Sequence, residues 1–82
     1  MVMIYFNPNF EKIFSKIKDA GLKDKLLKQF IKIKENPEIG KPMMHGRKGT
    51  REVYVPPFRL AYVYLKEQDE VVFLELYHKD EQ

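Results

Sequence analysis

The sequence predicts an α+β fold: an N-terminal strand, a helical hairpin, then a three-stranded antiparallel meander with the helices on one face. Three observations predict it. Apolar residues recur at helical spacing between residues 10 and 33. After Gly49 the pattern changes to short β-branched and aromatic runs. The dipeptides Asn7-Pro8, Asn36-Pro37 and Pro56-Pro57 stand where one element must give way to the next. A chain of 82 residues is the size of one domain, so residues 1–82 are expected to form a single unit.

Val2 to Phe6 is short, apolar and partly β-branched, which reads as a strand. Asn7 is a good helix cap and Pro8 suits the first helical position. Phe10, Ile13, Phe14 and Ile17 then line one face of a helix over 8–19. Gly21 is expected to stop it. A second helix begins near Leu22 to Lys25, with Leu26, Leu27, Phe30, Ile31 and Ile33 on its apolar face. It closes at Asn36, because a residue before proline avoids helical geometry. Periodicity is lost from Glu38 to Gly49, which reads as a loop. Arg51–Val55 and Phe58–Leu65 follow as strands around Pro56-Pro57. A polar turn at 66–69 leads to a last strand over Glu70–Tyr77.

The composition is that of a globular protein, with 44% hydrophobic and 33% charged residues. Absence of cysteine excludes disulfides and cysteine-based zinc sites, and it points to a reducing compartment. No run approaches the ~20 apolar residues that cross a bilayer, and no signal-peptide pattern opens the chain. A cytoplasmic protein without membrane contact is expected. The net charge of +3 is unevenly spread. Residues 1–36 hold eight lysines against four acids, residues 37–64 five cations against two acids, and residues 65–82 two lysines against six acids. The first two thirds can therefore face a polyanion such as RNA, or an acidic protein. For the helical lysines, a solvated helix face is the favoured reading.

Candidate chemistry lies in the second half. Arg59 interrupts an apolar strand, and alternation puts it with Ala61 and Val63, away from Phe58, Leu60, Tyr62 and Tyr64. It needs an anionic partner or open solvent: its planar fork suits a phosphate, with a salt bridge to Glu52 on the neighbouring strand or plain surface exposure as the alternatives. His78 and Lys79 follow the last strand, where a histidine can move protons and a lysine can stabilise developing negative charge. His45, Arg47, Lys48 and Arg51 form a basic group in and beside the glycine-bounded loop. Tyr54, Tyr62, Tyr64 and Tyr77 are the aromatic candidates. Tyr62 and Tyr64 read as packing, whereas Tyr54 can stack on an unpaired base. The two histidines and scattered acids match no zinc spacing, no glycine-rich phosphate loop is present, and Ser15 has no nucleophile context. No metal or cofactor is expected.

The element order resembles the RelE/ParE superfamily of type II toxin–antitoxin toxins, and its RelE-like branch in particular. The matching stretches are Asn36-Pro37 with Gly40-Lys41-Pro42, Gly49-Thr50-Arg51-Glu52-Val53, Phe58-Arg59-Leu60-Ala61-Tyr62, and His78-Lys79-Asp80-Glu81. The resemblance covers essentially the whole chain, carried by the order and spacing of these stretches. The resemblance implies a RelE-like microbial RNase fold and a ribosome-dependent mRNA endonuclease that inhibits translation. It implies metal-independent cleavage by ribose 2′-hydroxyl attack, and a cognate antitoxin as partner beside ribosome and mRNA. By position, Arg59 matches the strand arginine that contacts the scissile phosphate, and His78 and Lys79 match the C-terminal basic cluster. Arg51 and Lys48 stand where members add cations, with Tyr54, Arg47 and His45 as further RNA contacts. Two departures stand out. Tyr54 occupies a position that is basic in many members, and Asp80-Glu81-Gln82 follow where many have an aromatic. The same scaffold serves ParE-like toxins that poison DNA gyrase, and a degenerate antitoxin-binding homologue would share it too.

Overall fold

The computed structural model describes residues 2–43 and 49–81. Its elements are β1 (Met3–Phe6), α1 (Pro8–Ser15), α2 (Ala20–Glu35), β2 (Lys41–Pro42), β3 (Thr50–Val55), β4 (Phe58–Leu65), β5 (Glu70–His78) and a short 3-10 helix (Lys79–Glu81). The sheet runs β1-β5-β4-β3-β2. The meander β3-β4-β5 is antiparallel as expected, and β1 lies parallel to β5 at the edge. The helical hairpin between β1 and the meander supplies the long crossover that a parallel pair needs.

Asn7 caps α1 by accepting a hydrogen bond from the Asn9 N–H at 2.8 Å, with Pro8 opening the helix. The helix is shorter than its apolar spacing predicts. At Ser15 the ladder tightens, with Lys16 and Ile17 N–H donating to Ile13 and Phe14 carbonyls three residues back. Asp19 is the reason for the early stop: it caps α2 by accepting from the Leu22 N–H at 3.2 Å. Gly21 is therefore in the first turn of α2 and does not terminate α1. An acceptor side chain at a helix start outweighs the weak stop signal of one glycine.

The core lies between the helices and one sheet face. Phe10, Leu26, Ile33, Leu60, Tyr62, Val71 and Phe73 are fully buried there. Phe6, Phe10, Phe14, Phe30 and Phe73 form one aromatic cluster, its tightest pair being Phe30 and Phe73 with ring centres 4.6 Å apart. None of the described helices is long and apolar enough to cross a membrane.

The stretch expected to be loop contains the two-residue strand β2, and its approach is tied down by four hydrogen bonds. The Tyr62 hydroxyl donates to the Pro37 carbonyl at 2.7 Å and accepts from the Gly40 N–H at 3.0 Å. Arg51 Nη1 donates to the carbonyls of Glu38 and Gly40. Burial pushes the Tyr62 phenol above its ordinary pKa, against the smaller opposing pull of the Gly40 hydrogen bond. Gly40 is where a side chain does not fit: a Cβ there would stand 2.8 Å from Tyr62 Oη and 2.9 Å from the Glu52 carbonyl oxygen. One of those partners is backbone, so relief must come from the sheet itself. Gly40→Ala is expected to cost about 1–3 kcal/mol, the range for overpacked sites. A downward shift of the urea midpoint with an unchanged m-value checks it.

Candidate functional site

Residues paired across antiparallel strands share a sheet face. The pairs Tyr54↔Arg59 and Arg59↔Tyr77 therefore put Tyr54, Arg59 and Tyr77 together on the face away from the helices. Lys41↔Glu52 and Glu52↔Ala61 place Lys41 and Glu52 on the same face. Arg59 Nη1 lies 3.0 Å from Glu52 Oε1, and Tyr77 donates its hydroxyl to Glu52 Oε2 at 2.8 Å. The Tyr54 ring, 47% exposed, has the Arg59 guanidinium carbon 5.6 Å from its centre. The result is a compact arginine–carboxylate–tyrosine group beside an aromatic ring that solvent reaches.

The partner of Arg59 depends on a bulge. In β5, Phe73 faces Tyr62 while Glu75 faces Ala61, so Leu74 has no partner in β4. One extra residue reverses the alternation beyond it. Val71 and Phe73 point to the core, and after the bulge Leu76 does so in their place. Tyr77 thereby joins Arg59, and His78 is carried to the helix-packed face opposite Phe58. The His78 ring meets Phe58 edge-on at 5.6 Å. Its Nδ1 accepts from the Asp80 N–H at 3.3 Å and lies 3.6 Å from Asp80 Oδ2. Lys79 is exposed, opens the 3-10 helix and donates its N–H to the Pro57 carbonyl.

The sequence profile of the ParE toxin of type II toxin–antitoxin systems (ParDE) matches residues 4–82 of this chain. The chain belongs to the ParE toxin family of type II toxin–antitoxin systems. The toxin's fold is similar to that in the crystal structure of the intact Escherichia coli RelBE toxin–antitoxin complex, with a TM-score of 0.83 and 18% identity over 95% of this chain and 96% of that one. The Mycobacterium tuberculosis RelBE2 toxin–antitoxin complex gives a TM-score of 0.78 and 23% identity over 95% and 98% of the two chains. A metal-bound toxin from Helicobacter pylori gives 0.68 and 22% over 99% and 98%. At these identities the likeness is one of fold. No curated protein matches the toxin in sequence.

The expected site residues thus fall into separate groups. Arg59 and Tyr54 stand together. His78 is on the opposite face from Arg59, so the two are not aligned by the sheet. Arg51, paired with Tyr62, also points to the helix side, where it holds the loop carbonyls and lies 3.6 Å from Glu38 Oε2. That use explains an arginine beside the loop without an RNA contact. His45, Arg47 and Lys48 lie outside the described residues. Glu52 joins the Arg59 group as the salt-bridge partner that the sequence offers for that arginine, and Tyr77 joins it without having been assigned a role there. The signal for Glu52 was an acid on the strand beside an in-strand arginine, two residues from that arginine's direct partner Tyr54; for Tyr77 the bulge concealed it. Among the described residues no cluster of three or more His, Asp or Glu side chains could hold a metal ion.

Proposed function

We propose that this type II toxin is a ribosome-dependent mRNA endonuclease, with a cognate antitoxin, the ribosome and mRNA as its partners. The observation that carries the reading is Arg59 set beside the exposed ring of Tyr54 on the open sheet face. A guanidinium offers a phosphodiester two parallel hydrogen bonds, and an exposed tyrosine offers a base a stacking surface. Cleavage proceeds by attack of the ribose 2′-hydroxyl on the adjacent phosphate, releasing the 5′ oxygen of the next nucleotide and leaving a cyclic phosphate. Arg59 stabilises the charge that builds on the phosphoryl oxygens. His78 and Lys79, at the end of β5, serve proton transfer and charge neutralisation, which requires His78 to leave the Phe58 side of the sheet and reach the phosphate at Arg59. Arg51 remains with the loop it anchors. Antitoxins accompany the related toxins in the E. coli and M. tuberculosis complexes. An acidic amphipathic segment would suit the lysine-rich first part of this chain.

A second reading, a protein that poisons DNA gyrase by contact, is favoured by one observation: His78 faces away from Arg59. The experiment that separates the two maps mRNA 5′ ends in a translating extract, with wild type and His78→Ala. New ends inside translated codons that disappear with the variant support the endonuclease and its histidine. Ends that persist move the proton-transfer group elsewhere. Intact mRNA, with DNA breaks trapped on gyrase, supports the second reading.

A further inference from the structure

We propose that Glu52 is a positioning residue for an anion site at Arg59, where its carboxylate takes the place that a phosphodiester oxygen takes on binding. The inference rests on the reading of Arg59 as a phosphate contact. The geometry behind it is a carboxylate held at both ends. One oxygen is on Arg59 Nη1 at 3.0 Å, and the other accepts from the Tyr77 hydroxyl at 2.8 Å. The phenol stops the carboxylate from turning, so the arginine is aimed at a fixed acceptor. Both members are largely shielded, with 33% of the Arg59 side chain and 21% of the Glu52 side chain exposed.

The arginine is not saturated in this arrangement. Its Nε is buried and has no hydrogen-bond partner. A guanidinium has five N–H donors, and a buried one left unpaired costs free energy. A bidentate anion would engage Nε together with an Nη. In the present conformation Nε is out of reach, so the guanidinium must turn from Glu52 to present that edge. An open groove beside it, lined by Lys32, Lys41, Gly40, Glu52, Tyr54 and Arg59, is where it would turn. Lys32 and Lys41 make that groove attractive to an anion, and Glu52 is the acid among those six. Ligand binding is then an exchange of one acceptor for another, and the carboxylate sets how strong an anion must be to succeed.

The test is a binding cycle with a fluorescent 2′-O-methyl oligoribonucleotide, which lacks the attacking hydroxyl and cannot be cut. Wild type, Glu52→Gln, Arg59→Ala and the double variant are compared at low salt, each first shown folded by circular dichroism. Glu75→Gln serves as a control, since Glu75 faces Ala61 on the same sheet face and is exposed. Glu52→Gln is expected to bind about fivefold tighter, the order of one ion pair near a surface. The gain should vanish when Arg59 is also alanine, and Glu75→Gln should give less of it. An equal gain with or without Arg59, or the same gain from Glu75→Gln, overturns the exchange in favour of simple charge repulsion. Weaker binding by Arg59→Ala with no gain from Glu52→Gln overturns the exchange while keeping Arg59 as the phosphate contact. Binding that is the same, or undetectable, in all variants overturns both.

Discussion

Replacing Phe73 by alanine is expected to cost the toxin about 3–5 kcal/mol of folding free energy, the range for a phenylalanine removed from a packed core. Phe73 is fully buried at the centre of β5. Its ring centre is 4.6 Å from Phe30, 5.5 Å from Phe6, 5.8 Å from Phe10 and 5.9 Å from Tyr62. One side chain therefore joins β1, α1, α2 and β4. A domain of this length has only about 4–12 kcal/mol of stability in total. The loss removes much of it, and neighbouring rings attached to four different elements cannot all close on the void. Phe73→Leu keeps most of the volume and should cost less than half as much. Urea unfolding of both variants checks the order. A Phe73→Ala midpoint within error of wild type would show that the cluster does not hold the helices to the sheet.

The same cluster shows which parts of the fold can be read along the chain. Phe10, Phe14 and Phe30 recur at helical spacing, and Asn7-Pro8 and Asn36-Pro37 mark ends that depend on local backbone chemistry. The strand Phe58–Leu65 has the bounds that its flanking prolines and polar turn predict. Local signals compete at Asp19 and Gly21, where a side-chain acceptor decides and a glycine does not. Pairing between distant segments leaves a fainter trace. Nothing in Met3–Phe6 specifies a parallel partner, and β2 exists because Tyr62 and Arg51 seize the backbone of residues 37–40 from other strands. The candidate site divides in the same way. Arg59 and its carboxylate Glu52 are visible as a charge inside an apolar strand with an acid on the strand beside it. Uninterrupted alternation along β5 would set His78 on the face opposite Val71 and Phe73, beside Arg59. The unpaired Leu74 exchanges Tyr77 for His78 there, and no sequence period announces a single inserted residue.

Arg59→Ala is expected to lower mRNA cleavage by about 100- to 1,000-fold, the scale of losing one group that stabilises transition-state charge. The structure dictates how that experiment must be built. Arg59 is also the counter-ion of Glu52, whose side chain is only 21% exposed. Alanine alone leaves that carboxylate without its cation, which destabilises the sheet independently of any substrate. Arg59→Ala combined with Glu52→Gln removes both charges and keeps an acceptor for the Tyr77 hydroxyl, so its activity reports on chemistry. Arg59→Lys separates charge from shape. A lysine restores the positive charge as a point but not the planar fork. If the arginine acts by bidentate contact with the scissile phosphate, lysine recovers only a small part of the rate. If a cation near the groove suffices, lysine recovers most of it. Full cleavage by the folded double variant would remove Arg59 from the reaction and move the phosphate contact to another group.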